Sequence, residues 1–147
     1  MNNTIISIIS ILSVVFFGNK FTKSNVNTKW YKCIRSDLTP PNYVFPIVWT
    51  FLYILLGISF KKILDSEDKI LIGLFITNLL LNITWTYLYF HKKDVKNAFI
   101  NIILLIIISL FILHNKKDLK YYLSPYILWL SFASYLNYDS IDKIKYC

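Results

Sequence analysis

Glycine and proline are scarce, at 3 and 4 residues in a chain of 147. So little of either leaves no room for a flexible linker, a low-complexity tract or a repeat, and a single domain is the economical reading. Charge is scarce as well, at 16% of residues, and the long apolar runs carry no Asp, Glu, Lys, Arg or His near their centres. A proton-coupled pump or an ion transporter needs such groups at depth, so that class is set aside. Cysteine is limited to Cys33 and Cys147, nearly a whole chain apart and in no ligand-spaced cluster. That spacing supports neither a disulfide framework nor a zinc site. There is no glycine-rich phosphate loop, nucleophile elbow or carboxylate pair. His91 and His114 lie at the ends of apolar runs, where an interfacial role is a simpler reading than axial ligation of haem iron, and no metal site is expected.

What the chain has in excess is hydrocarbon. It is 56% hydrophobic and 18% aromatic, with a mean hydropathy of +0.50, more apolar surface than one small core can hide. A bilayer core takes about 20 helical residues, fewer where aromatic or basic flanks reach the interface. Five segments meet that demand, at about 4–17, 42–60, 70–90, 95–113 and 121–138. The sequence therefore predicts an all-α, polytopic membrane protein, a bundle of five transmembrane helices in one domain spanning 1–147. The segment 19–41 reads as a long non-helical loop, a length usually reserved for function. A cleaved signal peptide is the alternative for the first segment, but no Lys or Arg precedes it and no small-residue cleavage site follows, so it is kept as a span.

The net charge of +8 comes from residues between the apolar runs, with no basic stripe along a polar helix face. They read as anchors for helix ends in lipid headgroups, so the bilayer is the expected partner and nucleic acid is not. Ten Lys and Arg fall on the side of the long loop, the third connection and the C-terminus, against six on the other side. By the positive-inside tendency, the C-terminus and the first loop are expected in the cytosol.

Inside the spans the informative residues are amides and indoles. Asn78, Asn82 and Trp85 fall at i, i+4 and i+7 and share a face that hydrocarbon would not tolerate, so it must turn inward. Asn101 and Ser109 do the same in the fourth segment, and Trp129, Ala133, Leu136 and Asn137 in the fifth; Trp49, Tyr53 and Gly57 line up in the second. Two explanations compete. Asparagines serve as interhelical glue worth about 0.6–2 kcal/mol each, and tryptophans gather at the interface. Alternatively, aromatic and amide groups from several spans line a pocket for a flat apolar ligand with polar edges.

The motifs favour the second explanation through a resemblance. Trp30-Tyr31, followed by Pro40-Pro41-Asn42-Tyr43-Val44-Phe45-Pro46-Ile47-Val48-Trp49-Thr50-Phe51-Leu52-Tyr53, resembles the first-loop and second-helix signature of the translocator protein (tryptophan-rich sensory protein, TspO) family. Gly73-Leu74-Phe75, Asn78, Leu81-Asn82, Trp85 and Leu88-Tyr89-Phe90 resemble its third helix, and Pro125-Tyr126, Trp129, Phe132-Ala133 and Leu136-Asn137-Tyr138 its fifth. The likeness runs from about Trp30 to Tyr138, with the elements in family order. Pro40 and Pro41 suit the first turn of a helix, where a missing N–H costs nothing.

The resemblance implies a pocket within the bundle that binds porphyrins, protoporphyrin IX or haem, and possibly sterols, with a transport, sensing or stress-regulatory role and no required cofactor. Carried over, the ligand-binding residues are Tyr31, Pro41, Trp49, Asn78, Asn82, Trp85, Asn101, Trp129 and Ala133, with the first loop capping the mouth. If light-dependent breakdown of bound porphyrin occurs, Trp49 and Trp129 are the implied catalytic indoles. An interaction scaffold is the third alternative. A homodimer is implied by resemblance alone, since no GxxxG pair marks a dimer face. Departures from the pattern bear on ligand choice rather than fold. Ser36-Asp37-Leu38 replaces the usual lid aromatic, Tyr43 the usual tryptophan, Asn78 the usual glutamine and Asn101 the usual acid. Leu136, Tyr138 and Lys143 satisfy a loose sterol-recognition pattern, with Asp142 where arginine is usual; in a chain so rich in these residues chance accounts for it.

Overall fold

Four of the six α-helices begin where a short polar side chain takes over an unpaired backbone donor. The computed structural model describes residues 2–147. α1 spans Asn3–Lys23, with Asn2 Oδ1 accepting from the Thr4 N–H at 2.8 Å. α2 is the short helix Lys29–Ile34, capped by Thr28 Oγ1, which accepts from the Tyr31 N–H at 3.2 Å. α3 spans Val44–Asp65 behind the two prolines, and its first turn is prepared by the Val44 N–H donating to the Pro41 carbonyl at 3.0 Å. α4 spans Lys69–Thr86 and is capped by Asp68 Oδ1, which accepts from the N–H groups of Ile70 and Leu71. It widens into a π-helical turn, Tyr87–His91. α5 spans Val95–Asn115 with Asp94 as its cap, and α6 spans Lys120–Lys143. Two left-handed residues, Glu67 (φ 55°) and Lys93 (φ 57°), let the chain reverse tightly before α4 and α5.

Four helical stretches are long and apolar enough to cross a membrane: Asn3–Lys23, Val44–Asp65, Lys69–His91 and Val95–Asn115. α6 is longer still but rich in Tyr and Ser, which lowers its hydropathy below theirs. The long helices neighbour one another in the ring α1, α3, α6, α5, α4 and back to α1. Large apolar side chains such as Ile8, Leu12, Phe51, Ile54, Ile107 and Leu128 point outward, as lipid-facing positions do. Inside, Phe60 and Phe75 stack at 5.0 Å between ring centroids, amid fully buried Leu52, Leu56, Ile102 and Leu105.

Two sequence expectations are corrected. The stretch 19–41 is not a non-helical loop: α1 continues beyond its apolar run to Lys23, and α2 occupies its middle. α1 continues because its backbone hydrogen bonds need no apolar side chains, and they carry the helix past the apolar run to Lys23. Cys33 and Cys147 are bonded to each other, with Cα atoms 6.0 Å apart. Distance along the sequence, 114 residues, had hidden their closeness: successive long helices reverse direction, so the loop after α1 and the end of α6 meet on one face of the bundle.

Candidate functional site

The inward face of α4 meets α5 and α6 through hydrogen bonds. Asn78, 2% exposed, donates from Nδ2 to Ser109 Oγ at 2.9 Å and to the Leu105 carbonyl at 3.3 Å. Its Oδ1 accepts from the Tyr126 hydroxyl at 2.9 Å, and that hydroxyl accepts from Asn82 Nδ2 at 3.1 Å. One phenol thus joins two turns of α4 to α6, while Ser109 passes its own proton to the Leu105 carbonyl at 2.7 Å. Nearer the loop face a second set repeats the arrangement. Trp85 Nε1 donates to Asn137 Oδ1 at 3.0 Å, Asn137 Nδ2 donates to the Val95 carbonyl at 2.8 Å, and Tyr89 and Ser140 share a hydroxyl contact at 2.8 Å. These amides are occupied by protein partners, so the glue reading describes their contacts here.

A cavity lies beside this network, in the cleft between α1 and α3. Its volume is about 690 Å³, and its walls include Ile11, Val15, Pro46, Trp49, Tyr53 and Ile54. Trp49 and Tyr53 lie one turn apart on α3 with ring centroids at 5.3 Å, and Trp49 meets the ring of Tyr126 edge to face at 6.4 Å. Tyr126 therefore carries the aromatic wall of the cleft on its ring and the amide network on its hydroxyl. The helices close together at one point of the cleft, where Ser7 Oγ donates to the Gly57 carbonyl at 2.6 Å; a Cβ on Gly57 would lie 3.6 Å from Ile11. Asn19 lies toward the loop face, and Lys61, Lys62 and Asp65 lie at the opposite end. There Asp65 accepts from Asn3 at 2.8 Å and from Lys61 at 2.6 Å.

The remaining sequence-selected residues are dispersed around this cleft. Trp129 packs edge-on against Phe45 at 5.8 Å, outside the cleft lining, and its buried Nε1 has no partner. Ala133 is buried in the main core, and Asn101 is buried with Oδ1 unpaired. Tyr31 is buried under α2 against Tyr89 and Phe90, where burial pushes its hydroxyl pKa up against the opposing pull of Arg35. Pro41 is exposed before α3. Leu136 is buried and Tyr138 exposed, while Lys143 donates to Asp37 Oδ1 at 2.8 Å and to the Arg35 carbonyl at 3.1 Å. Among the described residues no cluster of His, Cys, Asp and Glu could hold a metal ion. His91 sits in an aromatic group with Tyr87 and Phe21.

Sequence reasoning missed Tyr126 and the whole α1 wall. The signal for Tyr126 was its place seven residues before Ala133 and eleven before Asn137, on the same inward stripe. For α1 it was the recurrence of Ser7, Ile11, Val14 and Gly18 at helical spacing, which are the buried residues of that helix.

Comparison with known proteins agrees with the motif order. The model of the TspO/MBR family matches residues 6–141. A tryptophan-rich protein TspO from Chlorobaculum tepidum is 31% identical over 140 residues, covering 89% of each chain. Another from Archaeoglobus fulgidus is 32% identical over 139 residues, covering 90% of each. A translocator protein from Ovis aries is 25% identical over 134 residues, covering 84% of this chain and 79% of its own. With its apolar helices and this match along nearly the whole chain, the protein is an integral membrane protein that belongs to the TspO/MBR family.

Proposed function

We propose that this chain binds tetrapyrroles, protoporphyrin IX or haem first and sterols second, taking them from the bilayer into the α1–α3 cleft. The observation that carries this reading is the cleft: about 690 Å³, with mostly apolar walls and the neighbouring, mutually tilted rings of Trp49 and Tyr53. That volume falls within the roughly 300–1,000 Å³ typical of small-molecule sites. A conjugated macrocycle gains most from aromatic walls, by offset or edge-on stacking. Asn19 at one end and Lys61 and Lys62 at the other supply donors for acidic edge groups. The cleft runs between helices whose outer residues face hydrocarbon, so an apolar ligand reaches it without crossing water. In this reading α6 is the fifth span: its 24 residues match a bilayer thickness, and its tyrosines and serines are tolerated because neighbouring helices satisfy them. The relatives named translocator protein and tryptophan-rich sensory protein make transport or sensing the natural use of such a site.

Purified protein in nanodiscs, titrated with protoporphyrin IX, is expected to show a saturable shift of the porphyrin Soret band. Trp49→Phe is expected to weaken binding several-fold and Trp129→Phe to change it little, because Trp129 lies outside the cleft lining. Equal weakening by both would refute the cleft assignment. The photo-oxidative alternative requires an indole against the ligand, with oxygen as oxidant, and the cleft offers Trp49 alone of the two. Illumination separates the readings: Soret bleaching faster than that of free porphyrin, and abolished by Trp49→Phe, would favour degradation over simple binding.

A further inference from the structure

The first loop is tied to the bundle at two places, an apolar one on the π-helical turn and the start of α5 and a polar and covalent one at the end of α6. α2 buries Tyr31 and Ile34 in an apolar cluster with Tyr89, Phe90, Val95 and Ala98. Beyond α2, the segment 36–43 makes only local backbone hydrogen bonds: Thr39 N–H to the Ser36 carbonyl, and Val44 N–H to the Pro41 carbonyl. Its one long-range polar contact is Asp37 with Lys143. Beside that pair, Cys33 is bonded to Cys147. The turn Ile144–Tyr146 buries none of its residues, so apart from partial packing of Ile144 on the α2 cluster the disulfide is what holds it to α2. Both cysteines are exposed, and a thiol or disulfide of ordinary size can reach the bond.

We propose that Cys33–Cys147 is a redox-operated latch on the first loop. Closing it removes two electrons and two protons from the two thiols. A disulfide oxidant of the glutathione class accepts them and leaves as two thiols; attack by glutathione thiolate through a mixed disulfide runs the step backwards. Closed, the bond pins α2 and the end of α6 together and, with Lys143, holds the start of segment 36–43. Open, that segment keeps the Lys143 contact alone. An exposed pair of this kind follows the poise of its compartment, closed on an oxidising side and open in a glutathione-rich cytosol. Segment 36–43 leads along the chain to Pro46 and Trp49, which line the cleft. The proposal concerns the loop and stands whether or not the cleft binds tetrapyrroles.

The test uses the full chain in nanodiscs equilibrated with glutathione disulfide or with a phosphine reductant. Maleimide–polyethylene glycol labelling is expected to count no free thiols in the first case and two in the second. Hydrogen exchange at 36–43 and 144–147 is expected to be several-fold faster in the reduced protein, with no change in α5. Cys147→Ser is expected to exchange fast in both conditions. Two free thiols persisting in glutathione disulfide would overturn the proposal, and so would identical exchange at 36–43 in the oxidised and reduced chain.

Discussion

The hydroxyl of Tyr126 joins two amides of α4, giving its proton to Asn78 and accepting one from Asn82. Its spacing to Ala133 and Asn137 on α6 was readable, as was the shared inward face of Asn78, Asn82 and Trp85. What those amides would meet was not readable. Side-chain spacing tells which way a residue points, whereas the partner depends on the register between helices, which single-chain periodicity leaves open. Tyr126→Phe removes the bridge and leaves a buried acceptor and a buried donor without partners. It is expected to cost about 1–2 kcal/mol, a value tempered by the modest worth of hydrogen bonds within bilayers. Thermal unfolding in detergent checks it, with Tyr135→Phe, at a half-exposed position, as the control that should not move. Trp129 shows the opposite case: its motif placed it in the pocket, while its indole packs on Phe45 with Nε1 unpaired.

Among the elements, the apolar helices were legible because bilayer thickness sets a minimum length and charge clusters mark their ends. α2 was not, because six residues, Lys-Trp-Tyr-Lys-Cys-Ile, are too few to show a period, and its stability comes from burying Tyr31 and Ile34 rather than from propensity. The contact that follows it is titratable. The Lys143 hydrogen bond and charge hold the Asp37 carboxyl below the usual range. The Asp37 contribution is therefore complete above the ordinary carboxylate range and is lost as pH falls through its lowered value. Loop protection should be flat through neutral pH and fall only in acid. Hydrogen exchange at 36–43 across that range is the check, with the amide intrinsic rate removed. In Asp37→Asn the acid limb should vanish; persistence of the limb would assign it to another group.

At the level of the whole bundle, the ring order and the closeness of the two cysteines emerge only from the fold, since neither hydropathy nor spacing says which helices are neighbours. The same ring creates the cleft, which α1 and α3 line together and which includes the Ser7–Gly57 contact as well as Trp49 and Tyr53. The decisive measurement is the dissociation constant of protoporphyrin IX for the unaltered chain and for Val15→Phe, which fills the cleft from the α1 wall without touching the amide network. Saturable binding at one porphyrin per chain, weakened about tenfold or more in Val15→Phe (about 1.4 kcal/mol), is the expected result. Binding of equal strength in both chains, or none in the unaltered one, would contradict a ligand site between α1 and α3.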